Sequence, residues 1–262
     1  MGKTLSDILE LLKKCLSCLC LEGTFMIMTE LEILFEDEHY IAVNKPAGVM
    51  VHRSSIAKDD NPVYAMQVLR DQMGHHVYPL HRIDRPTSGV LWFARNRDVV
   101  PVFQEQFITK DIQKYYLTAV RGYTKEHEGL IDYPLRKNLK KELQDAQTAY
   151  LRLGQVEIPI QSSPRHDTSR YSLVRASPLT GRMHQIRRHF AHERNYIIGD
   201  NTHGDNRQNR FFRMHFQMHH MLLHAWFTVF DHPITGEKIT VTAPLPDHFY
   251  KIITEFGWKE LV

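Results

Sequence analysis

Cysteine is nearly absent from this chain: the only three, Cys15, Cys18 and Cys20, fall in one short N-terminal stretch. No disulfide framework can therefore support the rest of it. Three thiols without a nearby fourth ligand also make a poor zinc site, and no metal centre is expected. Long apolar runs are missing as well. Nothing approaches the roughly 18 consecutive apolar residues of a membrane span, so no membrane partner is expected. A secretory leader is not indicated, because Lys13 and Lys14 break the apolar part and no small-residue cleavage site follows. One-sided charge is equally scarce. The 33 basic and 30 acidic side chains leave a net charge of +3, so any nucleic-acid surface must come from local clustering. There is no glycine-rich dinucleotide fingerprint and no P-loop. These absences suit a cytoplasmic, cofactor-poor enzyme, and they suit a plain binding domain equally well.

What is present is ordinary in amount, with 42% apolar and 24% charged residues over 262 positions, enough for one large domain or two small ones. Residues 1–28 stand apart. A capping box from Thr4 to Asp7 precedes Ile8-Leu9-Glu10-Leu11-Leu12, which predicts a short amphipathic helix. Met26 and Met28 are candidate start sites, and the segment before them is expected to be a dispensable extension. From Leu31 the pattern changes to strands. Leu31–Phe35 and Tyr40–Val43 read as a hairpin, closed by Asn44-Lys45-Pro46-Ala47-Gly48, where Lys45 is placed to reach a phosphate or an acidic neighbour. Asp60-Asn61-Pro62 opens a predicted helix carrying Val63, Met66, Val68 and Leu69 on its apolar face. A further helix runs through Val100, Phe103 and Phe107. Lys114 to Val120 alternates as a strand, which puts Lys114 and Tyr116 on one face.

Residues 136–168 read as loops or an insertion around a short strand near 150–153. After a strand over 171–176, a helix is expected over 183–193, with Arg182, His184, Arg187, Arg188 and Arg194 alternating with Ile186 and Phe190. Such a basic face is either a phosphate reader or a solvated helix side. Arg207 and Arg210 add charge further on. Residues 221–229 read as a buried strand that pairs with 239–243, and a last helix covers 247–256. About four helices are expected in all.

One stretch organises the rest: His81-Arg82-Ile83-Asp84-Arg85-Pro86-Thr87-Ser88-Gly89, feeding the apolar run Val90-Leu91-Trp92-Phe93-Ala94. A single carboxylate lies between two arginines at the mouth of a predicted buried strand. Unpaired burial of Asp84 would be costly, and the flanking guanidiniums offer to offset it. A carboxylate so placed suits a nucleophile or an electrostatic stabiliser. The residue types alone leave a second reading open, a surface turn with a local ion pair.

The stretch from His81 to Leu91 resembles the signature of the RluA-type pseudouridine synthases nearly residue for residue. Val43–Gly48 resembles that family's first motif, Lys114-Tyr115-Tyr116 its Lys-x-Tyr segment, and Thr180–Arg187 its late arginine motif. Ile198-Gly199-Asp200 and Leu222-Leu223-His224-Ala225 complete the series in the same order, so the resemblance runs from about residue 31 to about residue 250. It implies an α+β fold, with a mixed, mostly antiparallel sheet, surrounding helices and a central basic cleft, over residues 29–262. It implies an isomerase that needs no cofactor, because no redox step occurs. Asp84 would be the nucleophile or the group that deprotonates the sugar, and Arg187 the arginine that pairs with it. Tyr116 would lie under the uracil ring, and Arg82 would help turn the base out. Lys45, Lys114, Arg182, His184, Arg188 and Arg207 are the candidate RNA contacts.

The motif order and the long segment before Tyr171 resemble most the branch of the family that acts on tRNA, which implies uridine 65 of the T stem as the target. Ribosomal RNA is the alternative substrate, and a catalytically silent RNA-binding module is the alternative function. No obligate protein partner is indicated, and a monomer is expected. Two rivals are weaker. His220 and His224 suggest a zinc hydrolase, but there is no His-Glu-x-x-His helix. A glycosidase would call for paired carboxylates, and only Asp84 stands out.

Overall fold

The structure is a computed structural model that describes residues 29–52, 62–109, 111–137 and 142–262. The sequence-predicted N-terminal helix, the three cysteines and the Asp60-Asn61 turn lie outside the described residues.

The chain begins with the expected hairpin, β1 (Glu32–Glu36) and β2 (Tyr40–Lys45). Asp37 makes the turn, its Oδ1 accepting from the N–H groups of His39 and Tyr40 at 2.7 and 2.6 Å. Helix α1 (Ala65–Met73) follows, then the short β3 (Tyr78–Pro79), the central β4 (Ser88–Ala94), α2 (Val100–Thr109) and β5 (Gln113–Arg121). Next come β6 (Glu128–Asp132), a small hairpin of β7 (Leu135–Arg136) and β8 (Leu143–Gln144), and the long pair β9 (Gln147–Ile158) and β10 (Ser169–Pro178). Helices α3 (Gln185–His192) and α4 (Asn206–Phe216), strands β11 (Leu223–Asp231) and β12 (Lys238–Thr242), and α5 (Asp247–Glu255) complete the order.

Ten strands form one sheet, whose main path runs β1-β2-β4-β11-β5-β10-β9-β6, with β3 on β4 and β12 on β11. Every pairing in it is antiparallel except β4 with β11, which run parallel through His224↔Ser88 and Ala225↔Gly89. The mixed, largely antiparallel α+β architecture expected from the sequence is therefore present. The parallel crossing is where the two halves of the sheet meet. Gly89 makes it possible: its φ is +105°, and a Cβ there would stand 2.1 Å from the Ala225 carbonyl oxygen. All seven residues of β4 are buried, as a central strand covered on both faces requires. On one face Trp92 packs against Phe35, Phe103 and Phe230 with ring centroids 5.0–5.8 Å apart. Such aromatic pairs each add about 0.5–1.5 kcal/mol beyond their area. Its indole N–H donates to Thr228 Oγ1 at 3.0 Å, so the ring is buried without an orphaned donor.

Three expectations needed correction. Helix α1 starts at Ala65, later than predicted, because Val63 and Tyr64 pair with Met50 (Met50 N–H to Val63 O, 3.0 Å) before the chain turns helical. Strand β9 spans twelve residues where a short strand inside loops was expected; its mostly half-buried pattern follows from lying between β10 and β6. Helix α4 was not foreseen, so the described residues hold five α-helices. Asp205 caps it, Oδ1 accepting from the Arg207 N–H at 2.9 Å. Its inner face mixes Phe211, Phe212 and Phe216 with buried Gln208 and Asn209, which breaks the apolar period on which a sequence reading relies.

Candidate active site

The Asp84 turn is built by its neighbours from the first motif. Thr87 N–H closes it on the Asp84 carbonyl at 3.0 Å, and Gly48 N–H donates to the Arg85 carbonyl at 2.8 Å. Arg85 Nε returns a bond to Gly48 O at 2.9 Å. Lys45 lies underneath. It is fully buried, and its Nζ donates to the carbonyls of Pro46 (2.8 Å), Val49 (2.8 Å) and Arg85 (3.2 Å). Three acceptors match the three N–H bonds of an ammonium. Burial pulls its pKa down to about 7 against the opposing pull of Asp84. The expectation that Lys45 meets an RNA phosphate is therefore corrected: the side chain has no exposed surface, and it ties the first motif to the Asp84 turn. Behind the turn, Ser88 Oγ lies 2.8 Å from Nδ1 of buried His224, whose Nε2 is 3.3 Å from Ala243 O. His224 is thus a structural hydrogen-bonding group in a strand.

Arg187 reaches Asp84 from α3, across 103 residues of chain. Its Nη1 donates to Asp84 Oδ2 at 2.9 Å. The guanidinium does not approach freely. Nε and Nη2 are held by Asp200 Oδ2 and Oδ1, both at 2.8 Å, in a two-pronged pair. Asp200 is itself fixed, Oδ1 accepting from the N–H groups of Thr202 (2.8 Å) and His203 (3.0 Å). Asn209 of α4 holds the same turn from below, bonding to Gly199 N–H and Asp200 O, both at 2.8 Å. Burial would raise the Asp200 carboxyl, but the hydrogen bonds from Arg187 and His203 outweigh it and hold it below its usual range. Asp200 is the residue that sequence reasoning left without a role. Its signal was the Ile198-Gly199-Asp200 segment, where a Cβ on Gly199 would stand 2.1 Å from the His220 carbonyl oxygen.

The second oxygen of Asp84, Oδ1, lies 4.0 Å from His184 Nε2, beyond hydrogen-bond range. The Asp84 side chain is 24% exposed, against 4% for Arg187, so solvent or a substrate can reach it. His184 is half-buried and adopts the left-handed conformation at the N-cap of α3 (φ 54°, ψ 30°), which costs a non-glycine residue about 1–2 kcal/mol. Its Nδ1 is 2.8 Å from His203 Nε2. Burial lowers both imidazoles, with Asp84 opposing at His184 and nearby Arg187 adding to the effect at His203. Gln185 secures the preceding turn, accepting from Thr180 Oγ1 (2.7 Å) and Arg182 N–H (2.9 Å) and donating to Gln147 O (2.9 Å).

Tyr116 stands on β5, opposite Ala225 of β11 in register, and packs against the cluster that includes Ile186 and Phe190. Burial, and secondarily the Asp84 charge, raise its phenol above the ordinary value. The remaining candidates are dispersed. Arg82 is exposed beside Asp84. Lys114 is half-buried, with Nζ 4.9 Å from the Phe107 ring centroid, and burial lowers its pKa. Arg182 Nε donates to Asp145 O at 3.0 Å and Arg188 Nη1 to Arg136 O at 2.8 Å, both across to the β7–β8 segment. Arg207 sits on the first turn of α4, its Nη1 3.4 Å from Ser163 Oγ. Structure thus brings Asp84, Arg187, His184 and Asp200 into one polar ring and leaves the other cations around it. Among the described residues no cluster of three or more His, Cys, Asp or Glu side chains could hold a metal.

Comparison with known proteins decides the family. Residues 39–192 match the model of the family described as RNA pseudouridylate synthase. The chain belongs to that family. It is 45% identical over 245 residues to tRNA pseudouridine synthase C of Vibrio parahaemolyticus, covering 90% of this chain and 98% of that protein. It is 44% identical over 241 residues to the protein of the same name from Haemophilus influenzae, covering 88% and 100% respectively. Among solved structures, human RNA pseudouridylate synthase domain containing 1 aligns with a TM-score of 0.66 over 86% of this chain and 87% of that one. At 22% identity that likeness shows the fold. The activity is accordingly that of an RNA pseudouridine synthase, an isomerase. No helix among the described residues of this synthase is long and apolar enough to cross a membrane.

Proposed function

We propose that this synthase isomerises one uridine of tRNA, uridine 65 in the T stem, with Asp84 as the catalytic carboxylate and residues 29–262 as the catalytic unit. The observation that carries the assignment of Asp84 is the 2.9 Å bond from Arg187, a guanidinium already clamped on its other side by Asp200. That arrangement holds one carboxylate oxygen in place and leaves the other open to a substrate. The tRNA reading is supported by the names of relatives about 45% identical over nearly their whole lengths.

The reaction breaks the N1–C1′ bond of uridine, turns the detached uracil, and forms a C5–C1′ bond. The proton lost from C5 is matched by the one gained at N1, so no oxidant, reductant or cofactor is consumed. The open Asp84 oxygen serves either of two first steps, attack at C1′ or removal of a sugar proton. A base in a stem must first leave its stack, at a cost of a few kcal/mol. Ring contact with Tyr116 offsets about 1–3 kcal/mol of it, and Arg82, which is exposed, is assigned to fill the vacated position. With its pKa raised, the Tyr116 phenol is neutral in the resting site and acts through ring contact and hydrogen bonding. Lys114, Arg182, His184, Arg188 and Arg207 are assigned to the RNA. Arg182 and Arg188 each spend only part of the guanidinium on a carbonyl, which leaves N–H groups for phosphates.

The test is to incubate purified protein with unmodified tRNA and with 23S ribosomal RNA fragments, then map pseudouridine. Modification at one T-stem uridine is expected. Full activity on ribosomal fragments with none on any tRNA would overturn the substrate and spare the chemistry.

A further inference from the structure

Two adjoining cavities, of about 180 and about 350 Å³, share Arg121, Ser163 and His166 in their walls and include none of Asp84, Tyr116 and Arg187. Their charges are unevenly paired. Arg121 is matched by Asp205 at 2.7 Å and Arg170 by Glu157 at 3.1 Å. Arg165 and Arg207 have no carboxylate partner among the described residues, and both line the larger cavity. Among the described residues Arg207 Nη1 has only Ser163 Oγ, at 3.4 Å. Two uncompensated guanidiniums beside an imidazole in one concavity repel one another and focus a positive potential there.

The loop that carries Arg165 is held firmly. Ser162 N–H donates to Ser169 Oγ at 3.0 Å, and Gln208 Nε2 of α4 donates to Ser162 Oγ at 2.8 Å. Gln208 is in turn fixed by the hydroxyl of fully buried Tyr171 at 2.8 Å. His166 N–H closes the tip on Ser163 O at 3.2 Å. A buried polar network that rigidifies a cationic loop is preorganisation for a ligand.

We propose that this pocket is a second anion site, and that it takes a backbone phosphate of the substrate RNA outside the nucleotide being isomerised. Apart from the His166 imidazole, the walls offer no aromatic ring on which a base could stack. They offer guanidinium and hydroxyl groups, the usual phosphate contacts. The place suits that role. Asp205 lies in the wall, and five residues earlier Asp200 grips Arg187; the intervening chain spans at most about 18 Å, and Gly204 N–H folds it back onto Asp200 O at 3.1 Å. Helix α3 packs on the Val120 face of the sheet and α4 on the Ala119 face, so the contact requires the RNA backbone leaving Asp84 to pass the sheet edge toward the pocket. An A-form stem is read mainly through phosphates and 2′-hydroxyls, so such a contact fixes register without reading sequence. The proposal rests on the substrate being a structured RNA and is independent of which RNA it is.

The test uses the full chain with Arg165→Ala and Arg207→Ala, both at exposed positions, and the corresponding lysine variants. Affinity for tRNA and for 23S fragments is measured against salt, together with kcat and KM. Each alanine variant should weaken RNA binding about fivefold at low salt and flatten the log–log salt slope by about 1. KM should rise with it, while kcat stays within twofold and lysine recovers most of the affinity. Wild-type affinity and slope in both alanine variants, on every RNA, would overturn the proposal. So would inorganic phosphate shifting the Arg165 and Arg207 Nε–H resonances when RNA cannot displace it, which would mark a free-anion site. Weakened binding to 23S fragments with no change on tRNA would keep the site and remove the tRNA assignment.

Discussion

Asp200→Asn probes the clamp that holds Arg187 against Asp84. In the native protein Asp200 is 1% exposed and takes four hydrogen bonds, two from Arg187 and one each from the Thr202 and His203 N–H groups. Asparagine keeps the shape, removes the charge and sets an NH₂ group against a donor in either orientation, because both carboxylate oxygens receive N–H bonds. Removing one partner of a buried ion pair costs about 3–5 kcal/mol. Asp84 still offers Arg187 one bond, so the lower end, about 3 kcal/mol, is expected. At about 2–4 °C per kcal/mol for a chain of this size, the melting temperature should fall by roughly 6–12 °C.

The effect has a pH signature. The Asp200 carboxyl is held below its usual value in the fold, so the unfolded chain binds this proton first as pH falls through about 4. Wild type begins to lose the stabilisation there and goes on losing it down through the folded-state value, while the asparagine variant has none to lose. Urea unfolding of both proteins between pH 3 and 7 should therefore show a constant gap above about pH 5 that has narrowed by about 1 kcal/mol at pH 3. Turnover should fall about 100-fold, since Arg187 loses its fixed position. A gap below 1 kcal/mol at pH 7, or one unchanged down to pH 3, would refute the reasoning.

Further predictions concern the chemistry and three imidazoles shielded from solvent to different degrees. Asp84→Asn should abolish pseudouridine formation while RNA affinity stays within a few fold, because phosphate contacts supply most of the binding; a normal rate in the purified variant would end the mechanism. Tyr116→Phe should bind RNA normally and turn over more slowly, and Tyr116→Leu should also weaken the flipped state. Wild-type kinetics in both variants would return Tyr116 to a packing role. Burial lowers His224 and His248 to about 4 and His81 to about 3. These rings stay neutral in the fold while the unfolded chain protonates near 6.5, so stability is full above that pH and drops as pH falls toward 4. The three together should give a slope of about 4 kcal/mol per pH unit near pH 5. Unfolding free energies that are flat between pH 7 and 4.5 would contradict this.

Much of the sheet was legible in the sequence because its strands carry local signals. Residues 90–94 are a continuous apolar run, and they form the fully buried core of β4. The first and last hairpins are alternating segments joined by short turns, and they fold as such. Asp84 was also legible, since a carboxylate between two arginines ahead of a buried strand is conspicuous in a chain with little else like it. Helix α4 was hidden because Gln208 and Asn209 occupy core positions for hydrogen bonds to Tyr171 and Gly199, and such partners leave no periodic trace. Lys45 misled for a related reason: a lysine in a Pro-Gly turn reads as surface, and only the convergence of three carbonyls around its Nζ shows that it is buried. Local sequence thus determined which segments are strands and which carboxylate is exceptional. Pairings such as Arg187 with Asp84, across 103 residues, and Arg187 with Asp200 had to await the fold. Their strength comes from exclusion of water and fixed geometry, and neither exists until β4, β5 and α3 have packed together.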